Sequence, residues 1–422
     1  MRYVVDRRLF LTGAAVLPIA RASASPAGPS SQGAVTGDAL FWKNVASQYD
    51  VTRKVIQLEN GNWGMMARPV LEAYQDNVAR VNRDTSYYTR RGMLADWRAA
   101  RDALAAELHV APDEVAFTRN ATEALKALIL GYNRLTPGDA VLCADLDYDS
   151  MQACMESLKA RRGVSVLRIA LPEPATRASL IEAYAQAMAA NPRLKLILLT
   201  QCSHRTGLVL PVREIAALAR ARGIATIVDA AHSWGQLDMT LADLECDYVG
   251  INCHKWLGAP LGVGAIHIRR AALSAIDRDA ANSASDRDTI EARIHTGTVD
   301  FAAPLSVPAA LAFQAGIGRK RRADRLAALR NRWVDRVTSL PGIEVLTPTD
   351  PALHGGITSF RLAGKTSTAD NVALARTLLD RFGIFTVHRE GLASGACVRV
   401  TPGLFNTMAD MDALARAVRA LV

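Results

Sequence analysis

Two residues set the chemistry that this sequence can be asked about. Lys255 lies in Gly250-Ile-Asn-Cys-His-Lys-Trp-Leu-Gly258, and Asp229 lies in Thr226-Ile-Val-Asp-Ala-Ala-His-Ser-Trp-Gly235. Each follows an apolar run that reads as a strand. An amine at one strand end can form a Schiff base with an aldehyde. A carboxylate at a second strand end can keep a pyridine nitrogen protonated, so that the ring accepts electrons. Those are the demands of pyridoxal phosphate (PLP). Taken alone, such a lysine is ordinarily a solvated surface residue, and such an aspartate a turn former or helix cap.

Three other strings bear on the same site. Asn120-Ala-Thr-Glu-Ala124 falls between a strand and a helix. Backbone N–H groups and the Thr122 hydroxyl there could hold a phosphate at the helix N-terminus, and a plain helix cap is the simpler use. Tyr148, in Asp145-Leu-Asp-Tyr-Asp-Ser150, could stack on a flat ring. It is also the one candidate for a second acid–base group. His204, in Gln201-Cys-Ser-His-Arg-Thr-Gly-Leu-Val-Leu-Pro211, follows another strand and has a loop residue as its ordinary reading.

The elements that must position these residues alternate from about residue 95. Helical periodicity over 94–108, 123–132, 151–161, 180–190 and 212–222 is interleaved with strands at 115–118, 140–144, 165–170, 194–200 and 224–228, then 248–252 and 263–268. Continuous apolar strands joined by helices predict an α/β fold with a mainly parallel sheet covered on both faces. Ligands of such sheets bind beyond the carboxyl ends of the strands, where Asn120, Tyr148, Asp229 and Lys255 all fall. After about residue 305 a charged helical region is predicted over 308–340. Strands follow near 344–346 and 357–362, then a helix over 371–382, strands over 384–388 and 398–401, and a last helix from Met408. The reading is a large domain over 39–305, whose N-terminal segment contacts the small domain, and a smaller α/β domain over 306–422.

The chain has 422 residues, half of them hydrophobic, and a formal net charge of +9. That supports a large core. The first 24 residues carry Arg2, Arg7, Arg8 and Arg21 against Asp6 alone. Asp6-Arg7-Arg8-Leu9-Phe10-Leu11 matches a twin-arginine export motif, a short apolar stretch follows, and Ala22-Ser23-Ala24 offers a cleavage site. A signal peptide over 1–24, a linker over 25–38 and a periplasmic location are therefore expected. The apolar stretch is too short to span a bilayer. Arg319-Lys-Arg-Arg322 reads as one face of an exposed helix, without the aromatic-rich basic segment of a nucleic-acid binder. The six cysteines show no metal-ligand spacing and read mostly as buried thiols; disulfides stay open.

Further motifs complete an ordered series: Glu59-Asn-Gly-Asn-Trp-Gly64, Thr206-Gly-Leu-Val-Leu-Pro-Val212, Thr296-Gly-Thr-Val-Asp300, Arg399-Val-Thr401 and Phe405-Asn-Thr407. With Asn120–Ala124, Val228–His232 and His254–Leu257, the chain from about Leu58 onward resembles class V PLP-dependent aminotransferases of fold type I. More narrowly, it is similar to the isopenicillin N epimerase-like group. The resemblance implies a seven-stranded sheet in the large domain and PLP held through Lys255, with Asp229 at the ring nitrogen. It implies His232 and His204 near the ring hydroxyl, and Thr122 with the Ala121 backbone at the phosphate, helped by Asn252 and His254. It implies a homodimer with shared active sites in which Thr298 reaches the neighbouring subunit's phosphate. Arg399 would bind the substrate carboxylate, and Asn60 and Trp63 would line the substrate pocket.

The implied activity is chemistry at the amino group or α-carbon of an amino acid or peptide-like substrate, of the epimerase kind. An aminotransferase-type enzyme tailoring a secreted metabolite such as a siderophore is the alternative. A non-catalytic PLP-fold protein would lack Lys255 or Asp229. A cysteine desulfurase would need a mobile cysteine near Ile384, where Phe382-Gly-Ile-Phe385 has none, and Cys397 stands two residues before Arg399. His204 departs from the Asn or Ser expected of such relatives, which bears on the hydrogen bond to the ring oxygen.

Overall fold

The computed structural model describes residues 31–282 and 288–422, so the export motif and the expected cleavage site lie outside the described residues. Helix α1 (Ser31–Ala46) begins inside the stretch expected as linker, and strand β1 (Ile56–Gln57) and helices α2 (Arg68–Arg91) and α3 (Met93–Leu108) follow. The alternating region then runs β2 (Val115–Thr118), α4 (Ala121–Gly131), β3 (Ala140–Ala144), α5 (Asp149–Arg162), β4 (Ser165–Ile169), α6 (Arg177–Ala190), β5 (Leu194–Thr200), α7 (Val212–Arg220), β6 (Ala225–Asp229), β7 (Tyr248–Asn252) and β8 (Gly264–Ile268). The C-terminal part comprises α8 (Ala302–Leu305), α9 (Val307–Ile317), α10 (Arg319–Val334), β9 (Ile343–Val345), β10 (Thr358–Leu362), α11 (Thr368–Phe382), β11 (Ile384–Phe385), β12 (Val387–Arg389), β13 (Cys397–Val400) and α12 (Met408–Arg419). Trp42–Val422 is one compact unit; the unit before it, Met1–Phe41, contains the start of α1.

The fold is α/β, with a seven-stranded sheet in the order β2-β8-β7-β6-β5-β3-β4. Its pairs are parallel except those of β8, which runs antiparallel to both neighbours. Burial on both faces explains why β3, β7 and β8 are buried at every residue and are apolar but for Asn252 at the end of β7 and His267 in β8. One face packs on a cluster that includes Leu104, Leu180, Ile215 and Val307, and the other on Leu125, Leu128, Met151 and Met155. Among the described residues no helix is long and apolar enough to cross a membrane.

A second sheet, β12-β13-β10-β9, is wholly antiparallel. Its core gathers Trp333, Phe360, Val398 and Leu414, and it includes Leu58 from the N-terminal segment. That segment is tied in again where β1 pairs in parallel with β11.

Three expectations change here. The helix expected over 308–340 is two helices, α9 and α10, parted at Gly318, whose φ of 88° a side chain rarely tolerates. The strand expected over 384–388 is also two, because the chain switches at Thr386 from pairing with β1 to pairing with β13. The basic run Arg319–Arg322 is only in part a solvated face: Lys320 and Arg321 are exposed, and its two ends are engaged. Arg322 is buried and donates to Gln314 Oε1 at 3.1 Å, and Arg319 pairs with Asp238 at 3.3 Å.

Trp333 is fully buried and packs edge-on against Phe360, with ring centroids 5.4 Å apart. Trp333→Ala is expected to cost about 3–5 kcal/mol of stability by leaving a cavity. Urea unfolding followed by circular dichroism checks this. A cost near zero would show that the smaller core does not depend on that side chain.

Candidate active site

A cleft of about 470 Å³ opens beyond the carboxyl ends of the main strands, within the roughly 300–1,000 Å³ typical of small-molecule sites. It is lined by Ala121, Thr122, Tyr148, His204, Asp229, His232, Asn252, His254, Lys255 and Arg399 among others. These are ten of the residues singled out from sequence. They come from the ends of β2, β3, β5, β6 and β7 and, across the gap, from β13.

One end of the cleft is the N-terminus of α4. Asn120 caps it, its Oδ1 accepting from the Glu123 N–H at 2.9 Å. The Asn252 side chain accepts from the Ala121 N–H at 2.8 Å, which locks α4 to β7. Ala121 therefore has its N–H engaged, and Thr122 beside it lines the cleft. Close approach of helix to sheet requires glycine at 250 and 264. A Cβ on Gly250 would lie 2.7 Å from Leu125 Cγ, and one on Gly264 2.5 Å from the Ile251 carbonyl oxygen.

The middle of the cleft holds Asp229, His232 and Lys255. Asp229 Oδ1 accepts from the Ala231 N–H at 2.9 Å, while Oδ2 has no partner among the described residues. Burial pushes this carboxyl above its ordinary range, and the Ala231 N–H and Lys255 pull it back. Lys255 Nζ lies 2.8 Å from His232 Nε2. The Trp256 indole N–H donates to His232 Nδ1 at 3.3 Å. Indole is a donor only, so Nδ1 must accept and the imidazole proton sits on Nε2. Burial holds His232 well below its usual titration range, so it stays neutral. Its Nε2–H then points at the Lys255 lone pair, which requires an uncharged amine. Burial lowers Lys255 in the same sense, from 10.5 to about 8, with Asp229 opposing and Arg399 adding to the shift.

The far end is ionic. Arg399 Nη2 meets Glu59 Oε1 at 2.6 Å and its Nη1 donates to the His204 carbonyl at 2.6 Å. Arg389 Nη2 meets the same Glu59 oxygen at 3.3 Å. Tyr148 is exposed and stands edge-on to His204, with ring centroids 5.2 Å apart. His204 is partly buried, its Nδ1 has no partner among the described residues, and desolvation lowers it to about 4. Asp149 is 3.8 Å from its Nε2, an ion-pair distance rather than a hydrogen bond.

Three expected residues sit elsewhere. The Asn60 amide donates to the Thr401 carbonyl at 2.9 Å and lines a smaller adjoining cavity that also touches Lys255. Trp63 is 57% exposed and does not line the cleft, because Gly64 turns its backbone against Lys255: Gly64 N–H donates to the His254 carbonyl at 2.8 Å. Thr298 is exposed and also outside the lining. Sequence reasoning missed Arg389 and Trp256 and gave Glu59 no role. Arg389 was legible only through register: it faces Cys397 across β12–β13, which puts it on the same face as Arg399.

These observations fit PLP. The carboxylate of a buried aspartate, with one oxygen left for the cleft, suits a ring N–H, a helix N-terminus with a threonine suits a phosphate, and an amine of lowered basicity lines the same cleft. The class-V aminotransferase model matches residues 65–414. The chain belongs to the class-V aminotransferase family. Isopenicillin N epimerase of Amycolatopsis lactamdurans is 32% identical over 401 residues, covering 91% of this chain and 99% of that protein. Among solved structures, a cysteine desulfurase of Escherichia coli superposes with a TM-score of 0.76 at 21% identity, covering 90% of this chain and 98% of that one. A C-DES variant with glycine covalently linked to its PLP cofactor gives 0.74 at 22% identity, covering 88% and 98%. In this class-V member the cofactor is PLP, and the fold is fold type I.

The depressed lysine carries a sign. An amine whose folded value lies below its unfolded value is neutral, and nucleophilic, from a lower pH upward. Labelling of Lys255 in the cofactor-free protein by an amine-directed acylating reagent is expected to rise with a midpoint near about 8 rather than 10.5. Peptide mass spectrometry across a pH series reads the midpoint. A midpoint at the value of a solvated lysine would mean that the amine is not held as described.

Proposed function

We propose that this class-V member is a PLP-dependent enzyme acting at the α-carbon of an amino acid or peptide-like amino compound, of the isopenicillin N epimerase kind. The observation that carries the reading is one cleft lined by a buried amine of lowered basicity, Lys255 Nζ, together with the Asp229 carboxylate and an arginine pair. When bound, PLP supplies an electron sink conjugated to the substrate's α-carbon. Asp229 Oδ2 would hold the proton on the ring nitrogen. Thr122 and the N-terminus of α4 would hold the phosphate, with Asn252 keeping that helix in place. Arg399, Arg389 or both would fix the substrate carboxylate, so the α-carbon proton faces Lys255 Nζ, which removes it as general base. Tyr148, exposed in the lining of the cleft, is the candidate to return a proton from the other side, the step that separates epimerisation from transamination.

The epimerase relative supports this over desulfuration, and so does the lining of the cleft, which contains no cysteine among the described residues. Cys397 is fully buried on β13, with its thiol toward the Arg205 carbonyl. A homodimer is part of the proposal. A hollow of about 680 Å³ joins the cleft at Asn120 and Thr122 and ends at Ile294 and His295, just before Thr298. A partner's copy of the Thr298 loop would enter there.

Reconstituted enzyme is expected to show a band near ~420 nm that borohydride abolishes, and Lys255→Ala to lack it. In deuterated water, a panel of amino acids and short peptides read by mass spectrometry and chiral chromatography should show α-proton exchange with inversion and no keto acid. Keto acid would favour the aminotransferase alternative, and the absence of any exchange would overturn the reading.

Export by the twin-arginine route is the second part of the proposal, carried by Arg7 and Arg8 in their string. Cell fractionation should find the wild-type chain in the periplasm and an Arg7→Lys/Arg8→Lys variant retained in the cytoplasm. Equal distribution of the two would remove that part.

A further inference from the structure

The arginine end of the cleft contains more charge than one substrate carboxylate requires, and it is already partly balanced from within. Arg389 and Arg399 sit on one face of β12–β13 and share a single oxygen, Glu59 Oε1, at 3.3 and 2.6 Å. The other Glu59 oxygen accepts from the Thr401 hydroxyl at 3.2 Å. Glu59 is thus satisfied and buried, while the arginines are not. The Nε atoms of both are buried without a partner. Each guanidinium has five N–H donors and engages two groups, Glu59 and a main-chain carbonyl, so donors remain for a guest. Of the nearby carboxylates, Asp149 pairs with Arg205, and Glu390 adds its charge at the cleft edge but is exposed, so that solvent screens it. Two guanidinium charges and one carboxylate leave this corner with one positive charge facing the cleft.

We propose that Glu59 is a specificity-determining residue: by occupying one side of both Arg389 and Arg399 it leaves the pair a single positive charge, which selects amino compounds presenting one carboxylate there over dicarboxylic ones. Selectivity of this kind is a difference of affinities, and an internal counter-ion provides the repulsive part of it. A second substrate carboxylate would meet Glu59 across the guanidinium groups instead of a free cation. The inference rests on the reading of the cleft as a PLP site for amino compounds.

L-Glutamine and L-glutamate make a suitable probe pair, alike in shape and different by one charge. Their binding to the reconstituted enzyme is read from the change in its visible absorbance. Wild type is expected to prefer glutamine. Glu59→Gln keeps the shape and removes the charge, and the glutamine-to-glutamate preference should fall by about tenfold or more. Arg389→Gln should weaken both ligands and move the preference the other way. The double variant Glu59→Gln/Arg389→Gln restores one net positive charge and should return the wild-type preference, which a merely structural role for Glu59 would not produce. If Glu59→Gln fails to fold, Arg389→Gln and the double variant decide. An unchanged preference in variants that retain the reducible band overturns the inference and leaves the cofactor reading intact. So does a wild type whose spectrum responds to neither probe. Absence of the reducible band in wild type overturns the cofactor reading itself.

Discussion

Burial of the Lys255 amine constrains the rest of this site. Taking an ammonium out of water is costly, so burial lowers the amine toward its uncharged form, and its neighbours must accommodate a neutral donor–acceptor. His232 does so only as the Nε2–H tautomer, and that tautomer exists because the Trp256 indole can do nothing but donate. Asp229 is near enough to oppose the loss of charge, and Arg399 and Arg389 add to it. Glu59 offsets the arginines. The protonation state of one nitrogen thus depends on residues from β6, β7, β12, β13 and the N-terminal segment.

The large sheet was legible because its physics is simple. Strands buried on both faces must be apolar throughout, and helices that cover them must repeat every three to four residues. The positions where those strands end follow, and with them Asp229, Lys255 and Thr122. What was not legible depends on pairings distant in sequence. Arg322 looks solvated in a run of four basic residues, and only the packing of α10 beside α9 turns it inward. Nothing local marks Thr386 as the place where one strand becomes two. Arg389 joins Arg399 because β12 and β13 pair in one register and no other. Trp63 reads as a pocket aromatic, yet the backbone contact of Gly64 with the Lys255 loop turns it to solvent.

The division of labour between the two sheets is also physical. The parallel sheet offers strand ends and a helix N-terminus, which suit a phosphate, a ring nitrogen and a Schiff-base lysine. The antiparallel sheet offers a face, and a face can hold two long side chains side by side. Cofactor groups thus fall to one sheet and charge recognition to the other, as expected where a shared cofactor site is paired with variable substrate recognition.

The segment from Leu58 to Gly64 belongs to both. Leu58 is packed in the small core, Glu59 balances the arginines, Asn60 and Gly61 bond to Thr401, and Gly64 rests on the lysine loop so closely that a Cβ would lie 1.8 Å from the Lys255 carbonyl oxygen. It acts as a strap from one sheet to the other. Any motion that opened the two sheets relative to each other would have to drag on the main chain of the lysine loop at one end and on the arginines' counter-ion at the other. The part that braces the lysine loop and the part that carries the arginines' counter-ion are, mechanically, one piece of chain.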